Sequence, residues 1–161
     1  MKFKNPLLVV SDLEKSKQFY KKVLGLRVVM DFGANVTLTG GVALQTEETW
    51  LTFIHAQKDE LYFGNKTTEL YFEEEHFDSF IQKLNALPNI DFVHHEFEHR
   101  WGQRVVRFYD PDKHIIEVGE KLNSVCLRFL KNGLSKNEIA IRMEVPLMLV
   151  EKWVHETAHF S

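Results

Sequence analysis

The 161-residue sequence lacks several features that mark particular classes of protein. It contains a single cysteine, Cys126, which excludes an intramolecular disulfide and is typical of a reducing compartment. No apolar run reaches the roughly 20 residues that a helix needs to cross a bilayer. Residues 1–6 contain no apolar core of a signal peptide. We therefore expect a cytoplasmic protein that has no membrane partner.

The sequence also has no excess of positive charge. Its 20 Lys and Arg residues are outnumbered by 23 Asp and Glu residues, which gives a formal net charge of -3. Nucleic-acid-binding proteins usually present a basic face to the phosphates, so we do not expect a nucleic-acid partner. With 44% hydrophobic and 27% charged residues, the composition is that of an ordinary globular protein with one domain, or one domain and an appendage.

What the sequence does contain is a pattern of strands and one helix. The apolar run Pro6–Val10 predicts a buried strand. Ser11 and Asp12 then offer an N-cap for a helix over Leu13–Leu24, and Gly25 follows where a left-handed C-cap is expected. Three β-rich segments separated by turn residues come next, at 26–32, 36–39 and 42–46. The first third is therefore predicted to be βαβββ.

The same order of elements returns after residue 66. A strand is predicted at Glu69–Glu73 and an amphipathic helix at His76–Leu87, followed by strands at 90–97, 104–109 and 114–119. The two halves superpose at an offset of about 64 residues, which indicates a duplicated unit. We predict an α+β domain over residues 1–121, with modules 1–66 and 67–121.

Residues 122–161 have a different character and predict a three-helix C-terminal tail. Ser135 and Glu138 form a capping box for its second helix, and Pro146 suits the first turn of its third. The last two helices resemble a helix-turn-helix. A DNA reader needs a basic recognition helix, whereas residues 146–156 contain one Lys and two Glu residues. We expect instead that the tail packs against the first domain or forms a dimer contact.

Both ends of the duplicated pattern resemble the glyoxalase/bleomycin-resistance/dioxygenase superfamily, which has the vicinal oxygen chelate fold. The stretch Leu8–Ser16 (LVVSDLEKS), with Val23–Gly25, looks like its opening module. Phe108–Asp112 (FYDPD), with His114–Val118 (HIIEV), looks like its closing hairpin. The resemblance covers residues 1–121 and implies two modules whose curled sheets form a cup.

In that superfamily, metal ligands come from the first and last strand of each module. The matching positions are Asn5, Gln45, Glu69 and Glu117. Asn5 and Glu69 stand where metal-binding members usually carry His, so Zn²⁺ or a two-His Fe²⁺ site is not expected. An all-oxygen set suits Mg²⁺, Mn²⁺ or Ca²⁺, with Ni²⁺ as a further ion to test. The alternative is a cup that binds an organic ligand without metal.

Strand alternation predicts which other side chains line the cup. If Glu117 faces inward, Arg107 and Tyr71 do so too, and Trp101 and Gln103 lie on the turn before Arg107. These four are the predicted substrate-binding residues. Arg107 would either hold an anionic substrate in a bidentate manner or form an ion pair with Glu69 or Glu117.

Two functions remain open at this stage. The first is a lyase or isomerase that acts on a small carbonyl or thioester compound, with Glu69 and Glu117 as base or ligands. The alternative is a non-catalytic protein that binds and sequesters a small molecule, as bleomycin-resistance members do. Either function is compatible with a homodimer.

The segment His95–His99 (HEFEH) matches the zinc-protease pattern H-E-x-x-H. That chemistry requires a helix, so that both His side chains reach one metal ion. The flanking residues predict a strand, on which residues four apart lie about 13 Å from each other. We therefore expect surface histidines near the mouth of the cup rather than a protease.

Overall fold

The computed structural model describes residues 1–158, and the last three residues of the predicted tail lie outside the described range. Within it the chain forms two four-stranded mixed sheets and six α-helices. The first module contains β1 (Leu7–Val10), α1 (Leu13–Leu24), β2 (Val28–Asp31), β3 (Asn35–Leu38) and β4 (Ala43–Thr46). The second contains β5 (Glu69–Glu74), α3 (Phe77–Ala86), β6 (Asp91–Glu98), β7 (Arg104–Tyr109) and β8 (Ile115–Glu120).

The connection between the modules contains helix α2 (Glu47–Ile54) and a 3₁₀ turn (Lys58–Glu60). The C-terminal helices are α4 (Leu122–Lys131), α5 (Lys136–Met143) and α6 (Leu147–Ala158). The α+β class, the two tandem modules and the helical C-terminus are therefore confirmed. None of the described helices is both long and apolar enough to cross a membrane.

Both sheets have the same strand order, as a duplicated unit requires. The order is β1-β4-β3-β2 in the first sheet and β5-β8-β7-β6 in the second. In the first sheet β1 runs parallel to β4, and the other neighbours are antiparallel. Local signals set the ends of α1, because the Asp12 side chain accepts a hydrogen bond from the Lys15 backbone and Gly25 adopts a left-handed C-cap at φ 72°.

The chain divides into two compact units that do not coincide with the sequence modules. The first unit contains Met1–Glu69 together with the turn Tyr109–Ile115, and the second contains Leu70–Phe108 and the chain from Ile116 onward. In the first unit, Asp110 accepts a hydrogen bond from Tyr20 Oη at 2.9 Å. Asp112 accepts one from Ser11 Oγ at 2.5 Å. These bonds tie the turn to α1 and to the end of β1.

In the second unit, the C-terminal helices share a hydrophobic core of their own. Its buried members are Val125, Cys126, Phe129, Ile139, Met143 and Val150. The capping box predicted for α5 is present, since Ser135 and Glu138 exchange side-chain-to-backbone hydrogen bonds. The thiol of Cys126 is buried, and burial raises its pKa.

Candidate active or binding site of the second unit

The sheet of the second unit carries a different set of charged groups on each face. Arg104, the first residue of β7, donates to Asp78 at the start of α3 at 2.6 Å and to Glu120 at 3.0 Å. The side chains of Arg104 and Glu120 therefore point towards the helices. Residues three apart on a strand point to opposite faces. Arg107 and Glu117 therefore lie together on the other face, which we call the site face.

Arg107 and Glu117 form an ion pair through Arg107 Nη2 and Glu117 Oε2. Their side chains are 24% and 8% exposed, so the pair is largely removed from water. Among the described residues, Glu117 Oε2 has no hydrogen-bond partner apart from this ion pair. The pair thus brings one positive and one negative charge to the site face, with no net charge.

His94 on β6 contacts the terminal nitrogen of the guanidinium that does not pair with Glu117. Its Nε2 lies 3.3 Å from Arg107 Nη1, and its Nδ1 lies 2.8 Å from the carbonyl oxygen of His95. Arginine can only donate, so Nε2 must accept and the proton must be on Nδ1. These two contacts select the neutral Nδ1–H tautomer of His94.

A row of contacting rings, Phe97, His99 and Trp101, continues from His94; we call it the aromatic row. Phe97 and His99 meet edge to face with centroids 4.5 Å apart, and His99 and Trp101 stack at 4.1 Å and 10°. His94 in turn meets the edge of Phe97 at 5.0 Å. Phe97 is 43% exposed, so the row leaves flat apolar surface open beside the ion pair.

The environment of His99 keeps its imidazole neutral. Burial lowers the pKa of His99, and the positive charge of Arg107 lowers it further. At neutral pH the aromatic row therefore adds no charge to the ion pair. The surface it offers is that of uncharged rings.

Gln103 joins the aromatic row to the strands. Its side chain is buried, donates to Tyr71 Oη and to the Glu120 carbonyl, both at 2.9 Å, and accepts from Trp101 Nε1 at 3.3 Å. A Cβ at Gly119 would lie 3.0 Å from Gln103 Nε2, so glycine at that position leaves room for this network. Burial raises the pKa of Tyr71, so its half-exposed phenol stays protonated at neutral pH.

The predicted substrate-binding residues are thus linked by contacts within one unit. Tyr71, Gln103 and Trp101 form a hydrogen-bonded chain, and Arg107 forms an ion pair with Glu117, one of the alternatives left open by the sequence. Their role in binding a substrate stays a prediction.

The remaining predicted metal ligands, Asn5, Gln45 and Glu69, belong to the first unit. Gln45 is buried, its Oε1 accepts from Asn35 at 2.8 Å and its Nε2 donates to Thr49 Oγ1. Asn5 is half-buried and Glu69 is exposed. Within residues 1–158 no three His, Cys, Asp or Glu side chains are grouped to hold a metal ion.

Gln45 and Glu117 thus each have protein partners, and the four-residue ligand set stays a prediction.

Three of the site-face residues, His94, Phe97 and His99, were not predicted from the sequence. A signal was available for Phe97 and His99, because aromatic residues at 97, 99 and 101 alternate with charged residues at 96, 98 and 100, the period of a strand. The zinc-protease pattern instead singles out His95 and His99 as a possible metal-binding pair. Strand β6 runs through Glu98, so the helix which that pattern requires is absent from this segment.

The chain resembles known proteins over most of its length. Residues 3–123 match the family model described as Glyoxalase-like domain. A solved protein of unknown function from Agrobacterium tumefaciens str. C58 is 39% identical, with a TM-score of 0.67 over 75% of this chain and 94% of that one.

More distant structures show the same fold. A hypothetical protein from S. aureus is 21% identical, with a TM-score of 0.64 over 75% of this chain and 94% of that one. A protein called lactoylglutathione lyase from Agrobacterium tumefaciens is 22% identical, with a TM-score of 0.57 over 74% of this chain and 92% of that one. A comparison with curated proteins gave no match.

The first prediction concerns the Arg107–Glu117 pair. Arg107→Met leaves the buried Glu117 carboxylate without its cation and should lower the free energy of unfolding by about 3 kcal/mol. Adding Glu117→Leu removes the unpaired charge and should restore most of that loss. Urea unfolding of the single and double variants measures both values.

The control is Lys17→Met, which breaks the surface pair with the exposed Glu14 and should change the free energy of unfolding by under about 0.5 kcal/mol. Equal losses in the single and double Arg107 variants would contradict the expectation.

The second prediction concerns His99 and pH. Because its pKa is lower in the folded than in the unfolded chain, the unfolded state binds more protons below the ordinary histidine pKa of about 6.5. The contribution of neutral His99 to the free energy of unfolding is therefore complete above that pH and is lost as pH falls below it. In urea unfolding from pH 7 to pH 5, His99→Gln should lose less stability than the parent. Parallel curves for the parent and His99→Gln would disprove this role.

Proposed function

We propose that this chain, which belongs to the glyoxalase-like domain family, binds a small planar organic molecule with a carbonyl oxygen on the site face of its second unit. The observation that carries the proposal is the juxtaposition of the Arg107–Glu117 pair with the exposed edge of the aromatic row. Small-molecule sites combine apolar and aromatic lining with a few polar groups that fix orientation.

The aromatic row supports a ring-bearing ligand. Trp101 and His99 already stack nearly parallel, and a further flat ring gains contact area against Phe97 or Tyr71, which are 43% and 48% exposed. Aromatic pairs of this kind contribute about 0.5–1.5 kcal/mol beyond the burial of apolar area. A conjugated ring therefore suits this surface better than a flexible aliphatic chain.

The ion pair supports a neutral carbonyl rather than a carboxylate. A guanidinium donates readily to a carbonyl oxygen, and the charge of Arg107 is already balanced by Glu117. A ligand carboxylate would bring a second negative charge next to Glu117 in a partly buried setting, where like charges repel strongly. We therefore expect a conjugated ketone or amide to bind at least as tightly as the matching acid.

The same ion pair favours binding over turnover. A carboxylate that removes a proton or coordinates a metal must first give up its arginine partner. Arg107 is in turn held by His94 on its other side, which opposes its displacement. A ligand can instead bind beside the intact pair without such rearrangement.

The third prediction tests binding with a matched pair of probes, 2-acetylnaphthalene and 2-naphthoate. We expect a higher melting temperature with the ketone, since a ligand that binds only the folded state stabilises it, and an affinity for the acid that is no higher. Trp101→Leu should weaken ketone binding roughly tenfold. Trp50→Phe, in the first unit, is the control and should have no effect. Isothermal titration calorimetry gives the dissociation constants.

Three results would count against the binding proposal. They are the absence of binding by either probe, tighter binding of the acid, and equal binding by the parent and the Trp101→Leu variant.

A second candidate is a lyase or isomerase that acts on a small carbonyl or thioester compound. It is favoured by the second lone pair of Glu117 Oε2, which no described hydrogen bond uses, and by a similar structure that is called lactoylglutathione lyase. In this reading Glu117 and Glu69 act as base or ligands, and Asn5 and Gln45 as weaker ligands of Mg²⁺, Mn²⁺ or Ni²⁺. The partners of Gln45 and Glu117 make this the weaker candidate.

The fourth prediction separates the two candidates. Under the binding proposal, S-lactoylglutathione loses no thioester absorbance in the presence of the protein, with or without Mg²⁺, Mn²⁺ or Ni²⁺. The same ions should not raise the melting temperature of the parent more than that of Glu69→Gln or Glu117→Gln. Turnover that Glu117→Gln abolishes would establish the enzyme instead. A thermal shift that both variants lose would establish the metal site.

A further inference from the structure

We propose that the C-terminal helices position the site face, and that Arg128 and Phe129 of α4 hold the turn between β6 and β7 that carries it. This turn, His99–Gln103, supplies the site-face side chains His99, Trp101 and Gln103. Its contacts with α4 lie entirely within the second unit. The ligand-binding part of the inference rests on the proposed function, whereas the structural part does not.

Few backbone hydrogen bonds form within the turn itself. His99 and Gln103 join through one backbone hydrogen bond of 2.8 Å, and Gly102 N donates to the His99 carbonyl at 2.8 Å. A short turn of this kind has no core. The orientation of its side chains therefore depends on what packs against it.

Arg128 joins this turn to the end of β8. Its Nη2 donates to the Gly102 carbonyl at 2.5 Å and to Glu120 Oε2 at 2.9 Å, and its Nε donates to Glu120 Oε1 at 3.1 Å. The Glu120 carbonyl in turn accepts the hydrogen bond from Gln103. One guanidinium from the tail thus fixes the turn relative to the strand that carries Glu117.

Phe129 packs directly on the same turn. A Cβ at Gly102 would lie 2.1 Å from Phe129 Cζ, so only glycine allows the ring to come this close. Gly102 also has φ +90°, a conformation that disfavours other residues. Phe129 is at the same time a member of the hydrophobic core of the tail, so this ring connects that core to the turn.

The charge arrangement allows Arg128 to be changed without leaving a buried charge unpaired. Glu120 is 3% exposed and also accepts two hydrogen bonds from Arg104, at 3.0 and 3.1 Å. Burial would raise the pKa of Glu120, but its hydrogen bonds with the two arginines more than offset this and lower it. Arg128→Met therefore removes the bond to the turn while Glu120 keeps one cation.

The experiment uses the full chain with Trp50→Phe and Trp153→Phe, so that Trp101 is the only tryptophan, and its fluorescence is excited selectively over that of the tyrosines. Arg128→Met should make Trp101 more accessible to acrylamide quenching and weaken binding of 2-acetylnaphthalene roughly tenfold, as expected for the loss of a hydrogen bond to a charged group. Arg128→Lys can keep a charge near Glu120 and Gly102 and should restore part of both losses.

The control is Arg142→Met. Arg142 also lies over the Phe129 ring, at 5.7 Å, and pairs with Glu98, but no described bond joins it to the turn. It should leave quenching and affinity unchanged. Phe129→Leu is a second variant, which keeps the tail core apolar and withdraws the ring from Gly102, and it should reproduce the increase in quenching.

Unchanged Trp101 quenching in both Arg128→Met and Phe129→Leu, with native circular dichroism, would overturn the inference. Equal effects of Arg128→Met and Arg142→Met would also overturn it, because they would indicate general destabilisation. If the parent binds no probe while quenching still responds to Arg128 and not to Arg142, the positioning role stands and the proposed function fails.

Discussion

The second sheet is organised by the need to pair two carboxylates buried in one strand. Glu117 and Glu120 on β8 are 6% and 3% exposed, and a buried carboxylate without a partner costs several kcal/mol. They are three residues apart and point to opposite faces, and β7 carries Arg104 and Arg107 at the same spacing. Each carboxylate therefore meets a guanidinium on its own face. A one-residue slip between the strands would unpair both charges, so this requirement fixes their register.

The two faces use their ion pairs differently. On the helix side, Glu120 receives four hydrogen bonds from Arg104 and Arg128, which satisfies its oxygens and ties α4 to the sheet. On the site face, Glu117 has one arginine, whose other side is held by the uncharged ring of His94. The helix-side cluster is thus saturated by the protein itself. The site-face pair has fewer protein partners and lies beside exposed aromatic surface, as a ligand site requires.

Local signals were sufficient to predict the elements but not the site. The alternation in β7 and β8, the Asp12 cap and the Ser135–Glu138 capping box depend on residues close in sequence, and each is present in the structure. Which charge meets Arg107 is decided by the pairing of strands, so the sequence left Glu69 and Glu117 as alternatives. His94, Phe97 and His99 were missed because their importance comes from Arg107, 13 residues from His94 along the chain. The role of Arg128 depends on the packing of α4 and has no local signal at all.

The attachment of a helical tail to a glyoxalase-like domain has a physical reason in this arrangement. A binding surface made of stacked rings loses affinity if the rings must be ordered when the ligand arrives, because the lost side-chain freedom opposes binding. Three site-face residues lie on a turn that has no core, and Phe129 and Arg128 supply the packing and the hydrogen bond that order it in advance. Any change that loosens the tail core therefore increases the entropy cost at the site. If the proposed function holds, we expect the stability of the C-terminal helices and the affinity for a ligand to be coupled through Gly102.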